Sequence, residues 1–114
     1  NNINIVANQW YHIVSTWDGS NIKMYVDGVL QTNTASVSQI VYSTSTSATM
    51  GRYVTNYFNG SIDEVALFDK ALTADQIKFD LYEPTALVGG VKKTADIENN
   101  TNLPTPVAWY RMGD

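Results

Sequence analysis

A chain of 114 residues suits one domain with a modest core, and 44 % hydrophobic against 16 % charged residues is too apolar for a disordered chain. The net charge of −4, with seven Lys plus Arg scattered along the chain, provides no basic face for nucleic acid, and the absence of cysteine excludes disulfides and thiolate metal sites. No apolar run approaches the roughly 20 residues that cross a bilayer, so membrane insertion is not expected.

The opening NNINIVANQW has neither an initiating Met nor the basic and apolar regions of a signal peptide. The chain is therefore read as a mature, processed or excised piece of something longer. Ile3 to Ala7 alternates apolar and polar residues and predicts a strand. Trp10 to Trp17 continues in the same style, with Tyr11, Ile13, Ser15 and Trp17 on one face and Trp10, His12, Val14 and Thr16 on the other. Both faces are fairly apolar, which predicts a central strand. Asp18-Gly19-Ser20-Asn21 reads as a turn, because Gly and Asn tolerate positive φ and Asp bonds its own backbone.

Ile22, Met24 and Val26 then face one way and Lys23, Tyr25 and Asp27 the other. Asp27-Gly28 predicts a two-residue primed turn into Val29-Leu30-Gln31, so the stretch from Trp10 forms a meander. Thr32 to Thr49 is rich in Ser and Thr and reads as a long loop holding one short strand, Ile40-Val41-Tyr42; it is either a tolerated insertion or a second candidate recognition surface. Ala48 to Tyr53 predicts another strand, Asn56 to Gly60 a turn, and Ser61 to Phe68 a half-buried strand.

The period then changes. Thr73 and Gln76 form a capping box, and Leu72 and Ile77 a hydrophobic staple, for a helix of one to two turns ending near Tyr82 and before Pro84. PTALVGGVKKTADIENNTNLPTP reads as a linker or extended arm, and its Lys92-Lys93 pair as solvated surface. Val107 to Met112 is strand-like again, and must fold back on the sheet or belong to a following domain.

The blocks W-Y-H-I-V-S-T-W-D-G, K-M-Y-V-D-G, M-G-R-Y and N-G-S-I-D-E-V-A-L-F-D-K-A-L-T-A-D-Q-I, in that order, resemble the second half of a laminin G-like domain of the concanavalin A-like lectin/glucanase fold. The resemblance spans Trp10 to about Tyr82. It implies an all-β fold: an antiparallel jelly-roll β-sandwich with one short helix. On this reading residues 1–83 are the sandwich unit, 84–106 a linker or arm, and 107–114 a strand. P-V-A-W-Y-R-M-G-D is similar to the opening strand of such a domain. It therefore either opens the next copy of a tandem array or closes this sandwich in a compact, permuted arrangement.

Glucanases of this fold carry an E-x-D-x-E strand, whose carboxylates flank one glycosidic bond. Here the only strand pair is Asp63-Glu64, and neighbours on a strand point to opposite faces, so no hydrolase site is expected. His12 is read as a satisfied core histidine rather than a catalytic base. The family's Ca²⁺ site implies Asp18 and Asp63 as candidate ligands, although both have structural roles of their own. Glycan binding, also implied by the resemblance, draws on aromatic faces and amides, and Tyr53, Asn56, Tyr57, Phe58 and Asn59 are the candidates around the expected turn.

The expected function is a non-catalytic recognition or adhesion module of a larger extracellular or surface-displayed protein, with a glycan or a neighbouring protein subunit as partner. The alternative is a structural repeat or decoration domain of a fibre, surface layer or phage virion, homo-oligomeric or repeated within one chain, with no small ligand.

Overall fold

The computed structural model describes residues 3–32, 34–85 and 95–112. Lys92 and Lys93 lie outside the described residues. Among the described residues eight strands and one short helix follow in chain order: β1 Ile13–Trp17, β2 Asn21–Val26, β3 Val29–Leu30, β4 Ala35–Ser36, β5 Arg52–Tyr53, β6 Asn56–Tyr57, β7 Val65–Leu67, α1 Gln76–Tyr82 and β8 Ala108–Tyr110. Every strand pair is antiparallel. The protein is mostly β, as expected, but among the described residues the strands build one four-stranded sheet and two two-stranded ribbons rather than two full facing sheets.

The meander forms where the turn residues place it. Asp18 and Gly19 turn β1 into β2, with Gly19 at φ 95° and the Asp18 carboxylate accepting from the Ser20 and Asn21 amides. Asp27 (φ 50°) and Gly28 (φ 75°) make the second turn, both in the left-handed region that a primed hairpin demands. The central strand is β2, not β1 as expected. Strand β1 pairs along one edge of β2, while β3 and β4 follow one another along the opposite edge. Among the described residues β1 is thus an edge strand.

One face of this sheet is inside. Val14 and Tyr25 are directly paired across β1 and β2, and both pack into the core. The opposite face buries Val26 but leaves Ile13, Met24 and Val29 exposed.

The core is closed instead by a helix and an arm. Leu72 and Ile77 are both buried, and Ile77 is 0 % exposed, so the staple is formed. Burying an Ile side chain contributes about 1.5–3 kcal/mol. The capping box is present as well: the Thr73 amide donates to Gln76 Oε1 at 2.9 Å, and the Gln76 amide to Thr73 Oγ1 at 3.2 Å. Helix α1 is wound wide, with the Glu83 amide reaching back five residues to the Lys78 carbonyl. The helical path does not stop before Pro84 but tightens into a 3-10 turn, Glu83–Thr85.

Ala95, Ile97 and Leu103, in the stretch read as linker or arm, are buried in the same core. Strand β8 folds back and pairs with β7, matching Ala66 to Trp109, and both of those side chains pack on the core.

Three further expectations differ. Ile3 to Ala7 makes no ladder. Its Ile3 amide donates to the side chain of buried Gln31, and its apolar residues stay exposed. Ile40-Val41-Tyr42 is not a strand, and Tyr42 is 86 % exposed. A short apolar run offers the period of a strand but forms one only where a partner edge is free, and the described edge of β2 is taken by β3 and β4. Ser61 to Phe68 contributes only Val65–Leu67, because Glu64 at φ 53° breaks the extended path just before it.

Candidate functional site

The segment expected to turn at Asn56–Gly60 turns earlier. Strands β5 and β6 form a hairpin around Val54-Thr55, with Arg52 opposite Tyr57 and Tyr53 opposite Asn56. Val54 carries φ 56°, a conformation usually left to Gly at this position and unfavourable for a β-branched residue. Strand alternation then divides the candidate cluster. Arg52 and Tyr57 share one face, the guanidinium carbon lying 5.8 Å from the ring centroid, while Tyr53 and Asn56 share the other.

Tyr53 is 79 % exposed, and Asn56, Tyr57, Phe58 and Asn59 are exposed too. The Phe58 amide closes the hairpin on the Gly51 carbonyl, and its ring lies over Gly60, where an added Cβ would meet Cε1 at 2.6 Å. Phe58 is thus committed to its own loop. A shallow, open groove of about 490 Å³ runs beside the hairpin, lined by Thr46, Ser47, Thr49, Arg52, Tyr53 and Val54. Of the five predicted residues only Tyr53 lines it. Arg52 was not anticipated, whereas Thr46, Ser47 and Thr49 belong to the Ser/Thr-rich loop that is the other candidate surface. The Ser/Thr-rich composition of 32–49 was the signal available for them.

The two aspartates are each engaged by protein donors. Asp18 Oδ1 accepts the Ser20 and Asn21 amides, and Oδ2 meets Lys23 Nζ at 3.1 Å. The Asn21 amide first, then Lys23 and the Ser20 amide, pull its pKa down to about 2. Asp63 Oδ1 accepts the Glu64 amide at 2.9 Å and the Met112 amide at 3.2 Å. Among the described residues no three His, Asp or Glu side chains gather as a cation site would require.

Asp63 and Glu64 instead act together as a clasp on β8. Glu64 Oε2 accepts the Trp109 indole N–H at 2.6 Å, and Oε1 faces Arg111 Nε at 3.5 Å, while the Arg111 guanidinium lies over the Trp109 ring. The left-handed backbone at Glu64 turns its carboxylate toward the strand that Asp63 holds by its backbone.

His12 sits at the end of the β1–β2 ladder. Its amide donates to Asp27 Oδ1, its carbonyl accepts the Asp27 amide, and its ring meets Tyr82 with 5.9 Å between centroids. The ring is not satisfied as expected, because Nδ1 is buried without a hydrogen-bond partner. Burial pushes its pKa below the ordinary 6.5, and the nearby Asp27 carboxylate partly opposes that shift.

The family model described as the concanavalin A-like lectin/glucanases superfamily, a laminin G-like model, matches residues 1–78. That span covers β1 to β7 and the start of α1. No curated protein matches the chain. Among solved structures, the crystal structure of an S-layer domain-containing protein from Clostridium thermocellum is similar in fold, with a TM-score of 0.52 and 23 % identity. The similarity covers 68 % of this chain and 41 % of that one, so the chain spans less than half of the crystallised relative.

Proposed function

We propose that this chain, which belongs to the laminin G-like family of the concanavalin A-like lectin/glucanases superfamily, is a non-catalytic recognition module of an extracellular or surface-displayed protein and takes a glycan as its ligand. The observation that carries the reading is the exposed Tyr53 ring beside a groove lined by Thr46, Ser47 and Thr49. An exposed phenol ring offers a flat face to a pyranose, and hydroxyls arranged around it exchange water for sugar hydroxyls at little cost. A shallow, wet groove suits a saccharide better than an apolar ligand, which would require a deeper and drier pocket.

The absence of catalysis is part of the proposal. Asp63 and Glu64 are both occupied in holding β8, which supports a structural role for them rather than acid–base work. A surface location is supported by family membership and by the S-layer protein with a similar fold.

A glycan array with the intact chain, followed by affinity-gel electrophoresis on any glycan that binds, tests the reading. Binding that Tyr53→Ala abolishes while circular dichroism stays unchanged is the expected result. Failure to bind any glycan would remove it.

The second reading is a structural subunit of a surface layer, fibre or virion. The exposed Ile13, Met24 and Val29 on one face of the four-stranded sheet favour it, because exposed apolar side chains gain from contact with another protein. Sedimentation at rising concentration separates the two readings. Self-association that Met24→Lys prevents would favour the structural role.

A further inference from the structure

We propose that Asn59-Gly60 is a site of spontaneous covalent modification, at which the chain's own backbone converts the exposed Asn59 amide into an acid. The reaction needs no enzyme and no ligand, only water, and so stands apart from the glycan reading. The Gly60 nitrogen, once its proton is lost to hydroxide, attacks Cγ of Asn59. The N–Cγ bond forms, the Cγ–Nδ2 bond breaks, and Nδ2 leaves as ammonia with a proton taken from water. One water then opens the five-membered imide. Attack at Cγ leaves an ordinary aspartyl residue, and attack at the Asn59 backbone carbonyl leaves a main chain that runs through the side chain. The sum is amide plus water giving acid plus ammonia, with nothing oxidised or reduced.

Both reacting groups are free. Strand β6 ends at Tyr57, and the backbone bond that follows it is the Phe58 amide on the Gly51 carbonyl. Among the described residues the Gly60 N–H makes no hydrogen bond, and neither does the Asn59 side chain. Both residues are exposed, so hydroxide and water reach them. Glycine is the residue this step favours, because a Cβ on the attacking residue would crowd Cγ. Every other Asn of the chain precedes a residue that carries a Cβ. Packing also fixes the glycine in place. The Phe58 ring fills the space a Cβ at Gly60 would need, with Cε1 at 2.6 Å and Cζ at 2.8 Å. The loop thus keeps a reactive pair that its own packing requires.

Comparable positions elsewhere in the chain are blocked. Asp18-Gly19 and Asp27-Gly28 carry the same glycine, but each offers a carboxylate, a poorer electrophile than an amide, and hydrogen bonds hold both. Asp18 Oδ1 accepts the Ser20 and Asn21 amides, and Asp27 Oδ1 accepts the His12 amide at 2.8 Å. Asn99 donates through Nδ2 to the Asp96 carboxylate, and Asn100 and Asn102 donate through theirs to Asp80. Each of those side chains must break its bonds before it can swing onto the nitrogen that follows.

Peptide mapping by mass spectrometry tests this on the whole chain, kept folded in mildly alkaline buffer beside a short peptide of residues 56–63. Asn59 should be the first amide converted, at a rate of the same order as in the free peptide. The rate should rise with pH, because hydroxide drives the first step. A methyltransferase specific for isoaspartyl links should label the product at position 59. Asn59→Gln should abolish that label with circular dichroism unchanged, since a six-membered imide closes far more slowly. Survival of the Asn59 amide long after the peptide has reacted, or earlier conversion of another Asn, overturns the proposal. Conversion that yields no isoaspartyl label means direct hydrolysis and overturns it too. None of these outcomes depends on sugar binding, so failure of the glycan reading leaves this site standing.

Discussion

The indole N–H of Trp109 donates to Oε2 of Glu64 at 2.6 Å, joining residues 45 positions apart. This short, charge-assisted bond, with Arg111 beside it, fixes the last strand to the start of β7. Glu64→Ala should destabilise the protein by about 1–3 kcal/mol, since it leaves a half-buried indole N–H unpaired. Trp109→Phe should cost less when made in the Glu64→Ala background than alone. Urea unfolding of the two single variants and the double variant measures the coupling, and strictly additive losses would show that no clasp exists.

Acid should weaken the fold first through His12. Its folded pKa lies below the ordinary 6.5 because burial disfavours the imidazolium. The unfolded chain therefore takes up the proton first, and stability is full above pH 6.5 and declines as pH falls from there through the folded value. Melting temperatures followed downward from pH 8 should begin to drop near 6.5. Replacing His12 with Gln should remove that early part of the decline.

The second hairpin turn tolerates no side chain at Gly28. The residue sits at φ 75°, and a Cβ there would lie 3.0 Å from Tyr82 Cδ1, at the end of α1. Gly28→Ala should cost at least about 1–2 kcal/mol from backbone strain alone, with the clash adding to it. A Tyr82→Leu background relieves only the clash. Thermal denaturation of the single and double variants should therefore recover part of the loss and not all of it.

Asp18 is expected to titrate near pH 2, well below the ordinary 3.8, because two backbone amides and Lys23 stabilise its anion. A depressed carboxylate favours the folded state above its unfolded pKa, and that contribution fades as pH falls from 3.8 toward 2. Carboxyl NMR shifts measure it directly. Because Asp18 and Asp63 already hold protein donors, Ca²⁺ or EDTA should leave the melting temperature unchanged. A rise of several degrees with Ca²⁺ would mean that the cation displaces those donors.

What the sequence disclosed was local chemistry. Asp27-Gly28, Asp18-Gly19 and the Thr73/Gln76 box each encode their geometry within a few residues, and each formed as read. What it hid depended on distant partners. Val54-Thr55 carries no Gly, Asn or Asp, so nothing marked that turn, and moving it by a few residues set Tyr53 and Tyr57 on opposite faces. Ala95, Ile97 and Leu103 lie in a polar, turn-rich stretch whose burial follows from docking on α1 rather than from any period of their own. The Asp63-Glu64 pair was visible as a pair. Its purpose was not, because the groups it holds lie 45 and 49 residues away.

That separation has a kinetic side. Bringing Asp63 and Glu64 to Met112 and Trp109 closes long loops, and the entropy lost in doing so is recovered only after the local hairpins and α1 are in place. The seam should thus form late in folding and part early in opening. Its loss is then expected to speed unfolding and to leave the folding rate nearly unchanged.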